Sequence, residues 1–183
     1  MKATNTPPAK LVVSLFTCEK PLFLDALKWL EEEFGPLDFL SELLAFDYTD
    51  YYKDEFGGGL KRKVASFENP VLPEGLADIK TFTNSLEEGF KNGPKRRINI
   101  DPGILTNHNF ILATRKDFSH RVCLSQGVYA DLTLIYSGGG FKDLEWTYPD
   151  YRDSRMKSIL LEIRKRHVFK LKAGQGAPAG DAE

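Results

Sequence analysis

The residues RRINIDPGILTNHNFILATRKDFSHRVCLSQGVYADLTLIYSGGGFKDLEWT, Arg96–Thr147, contain five short apolar segments in close succession. Short polar or glycine-rich stretches separate the segments, and two of them, SQG (125–127) and SGGG (137–140), are typical of hairpin loops. This spacing predicts an antiparallel meander. The stretch Arg96–Thr147 therefore favours a β-sheet.

Strands and amphipathic helices are predicted on either side of this stretch. Lys10–Phe16 is a continuous apolar run typical of a buried strand, and residues 60–68 form another strand-like segment. Helical spacing of apolar residues predicts helices over 21–35, about 73–91 and about 153–167. The predicted fold class is α+β: a mixed, largely antiparallel sheet with about three helices packed on it, the C-terminal half a β-meander followed by a helix.

The chain of 183 residues is long enough for one domain with a core. We predict a flexible N-terminus over 1–9, a single α+β domain over 10–172 and a disordered tail over 173–183, because both ends are polar or rich in Gly and Pro. There is no apolar signal segment and no run near the roughly 20 residues of a membrane helix. The sequence thus predicts a soluble, cytoplasmic protein with no membrane association.

Charge is balanced, with 25 basic and 26 acidic residues, which makes nucleic acid an unlikely main partner. RNA binding stays as the weakest of three hypotheses, and it requires the basic residues 61–63 and 95–97 on one face near exposed aromatic side chains. The two cysteines show no CxxC or Cys/His spacing, so zinc is not indicated.

Several motifs follow one another from Lys10 to about Arg152: VVSLFT, FDYTDYY, GLKRK, DIKTFTNSLE, RRINIDPGILT, ATRKDFSHRV, GVYADLTLIY and WTYPDYR. Through them, most of the chain resembles a bacterial family described as domain of unknown function 4416. The resemblance implies a single soluble domain. It implies no activity, cofactor or catalytic residue.

The segment RINIDPG has two interpretations. If it is a strand, two isoleucines point toward a core, while Arg97, Asn99 and Asp101 point together to the other face. Arg97 and Asn99 then become candidate ligand-binding residues and Asp101 a candidate catalytic carboxylate. Alternatively, Asp101 begins an Asp-Pro-Gly turn and its carboxylate accepts backbone N–H bonds, with Arg97 on a solvated face.

A cationic loop, RKDFSHR (115–121), is the second candidate region. Lys116 and Arg121 are candidate anion ligands, and His120 is the candidate acid–base residue because its ordinary pKa lies near neutrality. Asp131 is the third catalytic candidate: alternation places Tyr129, Asp131 and Thr133 on one strand face and Leu132 and Leu134 on the other. The alternative for residues 115–121 is an ordinary solvated loop. The alternative for Asp131 is a strand face that meets water. His167 is expected at the end of the last helix, where it complements the helix dipole.

Asp47 and Asp50, beside a cluster of tyrosines, are candidate ligands for Mg²⁺, a cation that prefers oxygen donors. These candidate residues and segments support two main functional hypotheses. The first is a polar pocket that binds an anionic small molecule, a nucleotide or other phosphate ester, in a hydrolase or transferase. The second is a non-catalytic protein-interaction module that uses the aromatic segments 48–52 and 146–151.

Overall fold

The computed structural model of the chain describes residues 6–46, 56 and 58–175. Within these residues, nine strands, one 3₁₀ turn and four α-helices are formed. Their bounds are β1 (Lys10–Thr17), α1 (Pro21–Phe34), β2 (Leu37–Leu40), β3 (Leu44–Ala45), β4 (Lys61–Phe67), the 3₁₀ turn (Pro73–Gly75), α2 (Leu76–Gly89), β5 (Asn99–Leu105), β6 (Asn109–Thr114), β7 (Arg121–Cys123), β8 (Tyr129–Ser137), β9 (Gly140–Asp143), α3 (Pro149–Arg152) and α4 (Ser154–Gln175).

The nine strands form one sheet in the order β2-β4-β1-β5-β6-β8-β7, with β3 also paired to β4 and β9 to β8. All of these pairings are antiparallel. The predicted fold class is confirmed: a largely antiparallel sheet carries helices, and the C-terminal strand series ends in a helix. β1 is an interior strand, paired with β4 on one side and β5 on the other, and every residue of its apolar run is buried.

Strand alternation divides the core between the two faces of the sheet. On one face, Leu11, Val13 and Leu15 of β1 pack with α1 and with residues of α2 and β5. On the other face, Val12 packs with apolar residues of β6, β8 and α4. Helices therefore pack on both faces of the sheet, and β1 is buried between them. Among the described helices, none is both long and apolar enough to cross a bilayer.

The Asp-Pro-Gly sequence lies inside β5, so the interpretation of Asp101 as a turn residue is wrong. Asp101 and Pro102 pair with β1, whereas the pairing of β5 with β6 begins only at Gly103. The backbone N–H of Thr106, directly after β5, points toward β6. The backbone N–H of Ile100 points to the same side of the strand and donates a hydrogen bond to a side-chain oxygen. In a strand, the backbone nitrogens of every second residue point to the same side, so the nitrogen of Pro102 also points to this side. Within the described part of the chain, its missing N–H thus falls where no strand pairs with this side of β5, and no ladder hydrogen bond is lost.

A β-bulge in β8 changes the faces that its side chains were predicted to share. Phe110 of β6 pairs with Leu134, but the next residue of β6 pairs with Leu132, which leaves Thr133 as the extra residue. The bulge reverses the alternation, so that Asp131 and Leu134 lie on the same face of the sheet. The prediction that they point to opposite faces is therefore wrong.

α4 continues to Gln175, past its predicted end at His167 and into the predicted tail, whose remaining residues 176–183 lie outside the described residues. Asp153 caps its first turn, since Asp153 Oδ1 accepts the N–H of Arg155 at 2.9 Å. The dipole role predicted for His167 is wrong. His167 lies within the helix and is buried, and this burial lowers the pKa of its imidazole.

Candidate functional site

A cavity of about 950 Å³ opens on the sheet face that carries α3. β4, β5, β6 and β8 contribute to its floor, and α2 and α3 contribute to its walls. Its charged lining residues are Arg62, Lys80, Glu87, Glu88, Lys91, Arg96, Asp101, Arg115, Lys116, Asp131 and Asp150. Cavities of this size commonly hold small ligands. Six basic and five acidic side chains in one concavity make it the candidate functional site.

Side chains of α2 satisfy the open backbone edge of β5 at this cavity. Glu87 Oε1 accepts the N–H of Ile100 at 2.6 Å. Lys80 Nζ donates to the carbonyl oxygen of Ile100 at 3.2 Å and to Asp101 Oδ1 at 3.0 Å. A buried strand edge without a neighbouring strand needs such partners. The same contacts bring a lysine and two carboxylates together in the cavity wall.

Glu87 is a buried carboxylate of this wall, with a side chain that is 7% exposed. Burial raises the pKa of Glu87 from 4.5 to about 7; the positive charges of Lys80 and Arg96 oppose the rise and the negative charge of Asp101 adds to it. Arg96 Nη1 lies 3.4 Å from Glu87 Oε2 and donates to Asn99 Oδ1 at 3.0 Å. Glu87 is thus a group that gains and loses a proton near neutral pH.

Asp131 supplies a carboxylate to a different part of the cavity and is 1% exposed. Its Oδ2 accepts from Arg121 Nε at 2.9 Å and lies 3.2 Å from His120 Nε2. Arg121 also donates to the hydroxyl of Tyr148, and the His120 ring stacks on Trp146 with 5.0 Å between centroids. Asp131 lines the cavity, whereas His120 and Arg121 are not among its lining residues and reach it through Asp131.

Arg62 and Asp150 form a second buried ion pair of the lining. Arg62 Nη2 donates to Asp150 Oδ2 at 2.6 Å. The Arg62 guanidinium lies 4.2 Å from the ring centroid of Phe46 and 5.6 Å from that of Tyr151, which places it among aromatic rings. Burial raises the pKa of the Tyr151 hydroxyl, so this tyrosine stays neutral.

The structure brings four of the predicted site residues to the cavity: Asn99, Asp101, Lys116 and Asp131. The predicted alternation holds for Asn99 and Asp101, which share one face of β5 opposite buried isoleucines. The alternation does not include Arg97, because Arg97 lies before the first residue of β5. Arg97 Nε instead donates to Glu19 Oε1 at 2.8 Å, and the prediction that Arg97 lines the pocket is wrong.

The proposed metal ligands Asp47 and Asp50 lie outside the described residues, as does the aromatic segment 48–52. Within 6–46, 56 and 58–175, no group of three or more His, Cys, Asp or Glu side chains is arranged to hold a metal ion. Binding of Mg²⁺ by Asp47 and Asp50 therefore stays a prediction.

Sequence reasoning missed Lys80, Glu87 and Arg62. A usable signal exists for two of them, because Lys80 and Glu87 are seven residues apart and so lie on one side of α2, two turns apart, beside its apolar stripe. Arg62 has no such signal. Its partner Asp150 is 88 residues away along the chain, and only the folded sheet brings the two together.

The raised pKa of Glu87 makes stability depend on pH. The folded state holds the Glu87 proton more tightly than the unfolded state, so protonation of Glu87 stabilises the fold. This contribution to the free energy of unfolding is complete below the unfolded pKa of 4.5 and is lost as pH rises through about 7. We expect the free energy of unfolding of the wild type to fall by about 3 kcal/mol over this range relative to Glu87→Gln. Denaturant titrations at a series of pH values measure the difference.

Glu88→Gln is the matched control, because Glu88 is the next residue of α2 but has a side chain that is 63% exposed. Its stability difference from the wild type should change little over the same pH range. A wild-type and Glu87→Gln difference that does not vary with pH would contradict the assignment to Glu87.

Comparison with known proteins places the chain in a family. No curated protein and no solved structure shows significant similarity to it. Residues 7–167 match the family described as Domain of unknown function (DUF4416). The matched segment contains every cavity residue named above. Because the match covers well over half of the chain, this protein belongs to the DUF4416 family.

Proposed function

We propose that the chain binds an anionic small molecule, a nucleotide or other phosphate ester, in the cavity. The observation that carries this proposal is Arg115, which is exposed and lines the cavity. Arg115 donates to the carbonyl oxygen of Gln126 at 3.1 Å and to Thr81 Oγ1 at 3.4 Å, both neutral groups. Among the described residues it has no carboxylate partner, so its charge is available to an anion. A guanidinium fork matches the geometry of a phosphate or carboxylate.

The rest of the lining supports the same class of ligand. Lys116 adds a second cation beside Arg115. The Lys80–Asp101 and Arg62–Asp150 pairs place donors and acceptors side by side, at 3.0 and 2.6 Å, without net charge. Such pairs suit the neutral polar part of an ester, for example its hydroxyl groups, while the cations hold its anionic part.

The reaction class we propose is hydrolysis of the ester or transfer of its phosphoryl group. Asp101, Asp131 and Glu87 are three of the five carboxylates of the lining, and a group with a pKa near 7 exchanges a proton readily at neutral pH. His120 is assigned a positioning role on Asp131, which it contacts at 3.2 Å. Release of inorganic phosphate from nucleotides and sugar phosphates, with and without Mg²⁺, tests this step. No release above the rate of a Glu87→Gln, Asp101→Asn double variant would remove the catalytic part of the proposal and leave binding in place.

Replacement of Arg115 tests binding. Among AMP, ATP, ribose 5-phosphate and pyrophosphate, at least one should raise the melting temperature of the wild type, because a ligand of the folded state stabilises it. We expect Arg115→Ala to weaken that ligand about 10- to 100-fold, the loss of a charge-assisted hydrogen bond. Isothermal titration calorimetry measures the affinities.

Arg155→Ala is the control, since Arg155 is 65% exposed on α4 and does not line the cavity. It should bind the ligand as the wild type does. If none of the four compounds shifts the melting temperature or gives heat at millimolar concentration, anion binding in this cavity is wrong.

A protein-interaction surface is the second candidate function. Phe118 is 62% and Trp146 37% exposed, and both rings contact His120, so they form a continuous aromatic surface. Val122 of the neighbouring edge strand β7 is 65% exposed. Exposed apolar surface of this kind marks contact sites. A Phe118→Ser, Val122→Lys variant that leaves anion binding unchanged but abolishes a protein contact seen by crosslinking would favour this function.

RNA binding gains no support from the fold, because Arg62 is buried and the basic residues 61–63 do not form a continuous exposed surface. The cytoplasmic location remains a prediction from the sequence.

A further inference from the structure

We propose that Glu87 takes up a proton when an anionic ligand enters the cavity, so that ligand and proton bind together. This inference rests on the proposed function and adds a named residue that senses the charge of the ligand. Its basis is geometric: Glu87 is 5% exposed, lines the cavity, and is held in place by the N–H of Ile100 at 2.6 Å.

The charged groups that face Glu87 come from three parts of the chain. Lys80 lies on the same helix, Arg96 lies on the connection between α2 and β5, and Asp101 lies on β5. Lys80 is already bonded to Asp101 at 3.0 Å, and Arg96 is shared with Asn99 at 3.0 Å. Lys80 therefore pairs with Asp101, and Arg96 is shared between the Glu87 carboxylate and the Asn99 amide, so neither cation interacts with Glu87 alone.

An anion in the cavity favours the protonated form of Glu87 over the ionised form. It attracts Lys80 and Arg96 and repels an ionised Glu87, because like charges disfavour ionisation in a partly buried site. Protonation removes the repulsion and also turns the Glu87 carboxyl into a hydrogen-bond donor to an anionic oxygen. Burial has already raised the pKa of this group to about 7, so a modest further rise changes its protonation at neutral pH.

Calorimetry with sulfate tests the coupling, because sulfate stays a dianion from about pH 5.5 to about pH 8.5 and contributes no titration of its own. AMP serves as a second probe. If the anion raises the pKa of Glu87 by about one unit, the dissociation constant for sulfate rises about eightfold across this range. Titrations in two buffers of different ionisation enthalpy should then show uptake of about half a proton per sulfate near pH 7.5.

Two variants separate Glu87 from other titrating groups. Glu87→Gln should lose the proton uptake, show a nearly flat affinity from about pH 5.5 to about pH 8.5, and bind sulfate more tightly than the wild type at the upper end. Glu162→Gln, at a glutamate of α4 that is 51% exposed, pairs with Arg166 at 2.6 Å and does not line the cavity, should keep the wild-type pH dependence. Melting curves of both variants in the absence of ligand check that they are folded.

The outcomes distinguish this inference from the proposed function. Sulfate or AMP binding with the same pH dependence in wild type and Glu87→Gln assigns the coupling to another group and overturns the role of Glu87 while anion binding stands. Proton release on binding overturns it as well. Absence of binding by both probes at every pH overturns the inference together with the anion site.

Discussion

Replacement of Asp131 by Asn is expected to lower the free energy of unfolding by about 3–5 kcal/mol, the cost of breaking a buried ion pair from one side. Asp131 is 1% exposed, and its Oδ2 accepts from Arg121 Nε at 2.9 Å while its Oδ1 accepts from Thr133 Oγ1 at 3.2 Å. The Arg121 side chain is 7% exposed. Loss of the carboxylate charge therefore leaves a guanidinium with little access to water and, among the described residues, no other carboxylate paired with it.

Denaturant unfolding of wild type and variant measures this loss. Asp143→Asn is the matched control, because Asp143 pairs with Lys157 at 2.7 Å but is 37% exposed. Solvent screens that pair, so we expect a change of at most about 1 kcal/mol. A loss below about 1 kcal/mol for Asp131→Asn would show that the buried pair contributes no more than a surface pair.

Gly103→Ala is expected to destabilise the protein by about 1–3 kcal/mol, as overpacking in a core does. Gly103 lies in the interior of β5, and the ring of Phe110 lies over it. A Cβ atom at this position would stand 2.8 Å from the carbonyl oxygen of Ile111 and 2.8 Å from Phe110 Cζ. One of these neighbours is backbone, so the sheet itself must shift to accept a methyl group.

Gly89→Ala is the matched control, because a Cβ at Gly89 meets nothing within 4 Å and the residue ends α2. There the substitution should be neutral or stabilising by about 0.5–1 kcal/mol, since alanine favours the helix. Thermal unfolding of the two variants side by side measures the contrast. Equal stability of both variants would mean that the close approach at Gly103 relaxes without cost.

Local pattern was sufficient to predict most of the elements. The apolar run of β1 predicts a buried strand, and the run is buried throughout. Pro21 and Gly35 bracket α1 as the sequence predicts, because the first fixes a helical φ and the second ends the helix at φ 88°. Each of these features depends on neighbouring residues along the chain.

Local pattern was not sufficient where a distant segment decides the conformation. Asp-Pro-Gly is ordinary turn chemistry, yet it lies within a strand because β1 pairs with it on one side and α2 satisfies the other. Thr133 belongs to a regular alternation in sequence, and only the pairing of β8 with β6 makes it a bulge. In both cases the hydrogen-bond partners are remote.

The candidate site shows the same division. The sequence by itself determined the residue types, the strand alternation that sets Asn99 and Asp101 on one face, and the polar stripe of α2 that carries Glu87. Only the tertiary structure decided that this stripe meets the open edge of β5, and that Asp131 opens on the same cavity as Asp101. The physical reason is that local periodicity is set by backbone geometry, whereas burial, charge pairing and the pKa of Glu87 depend on groups from several separate segments of the chain.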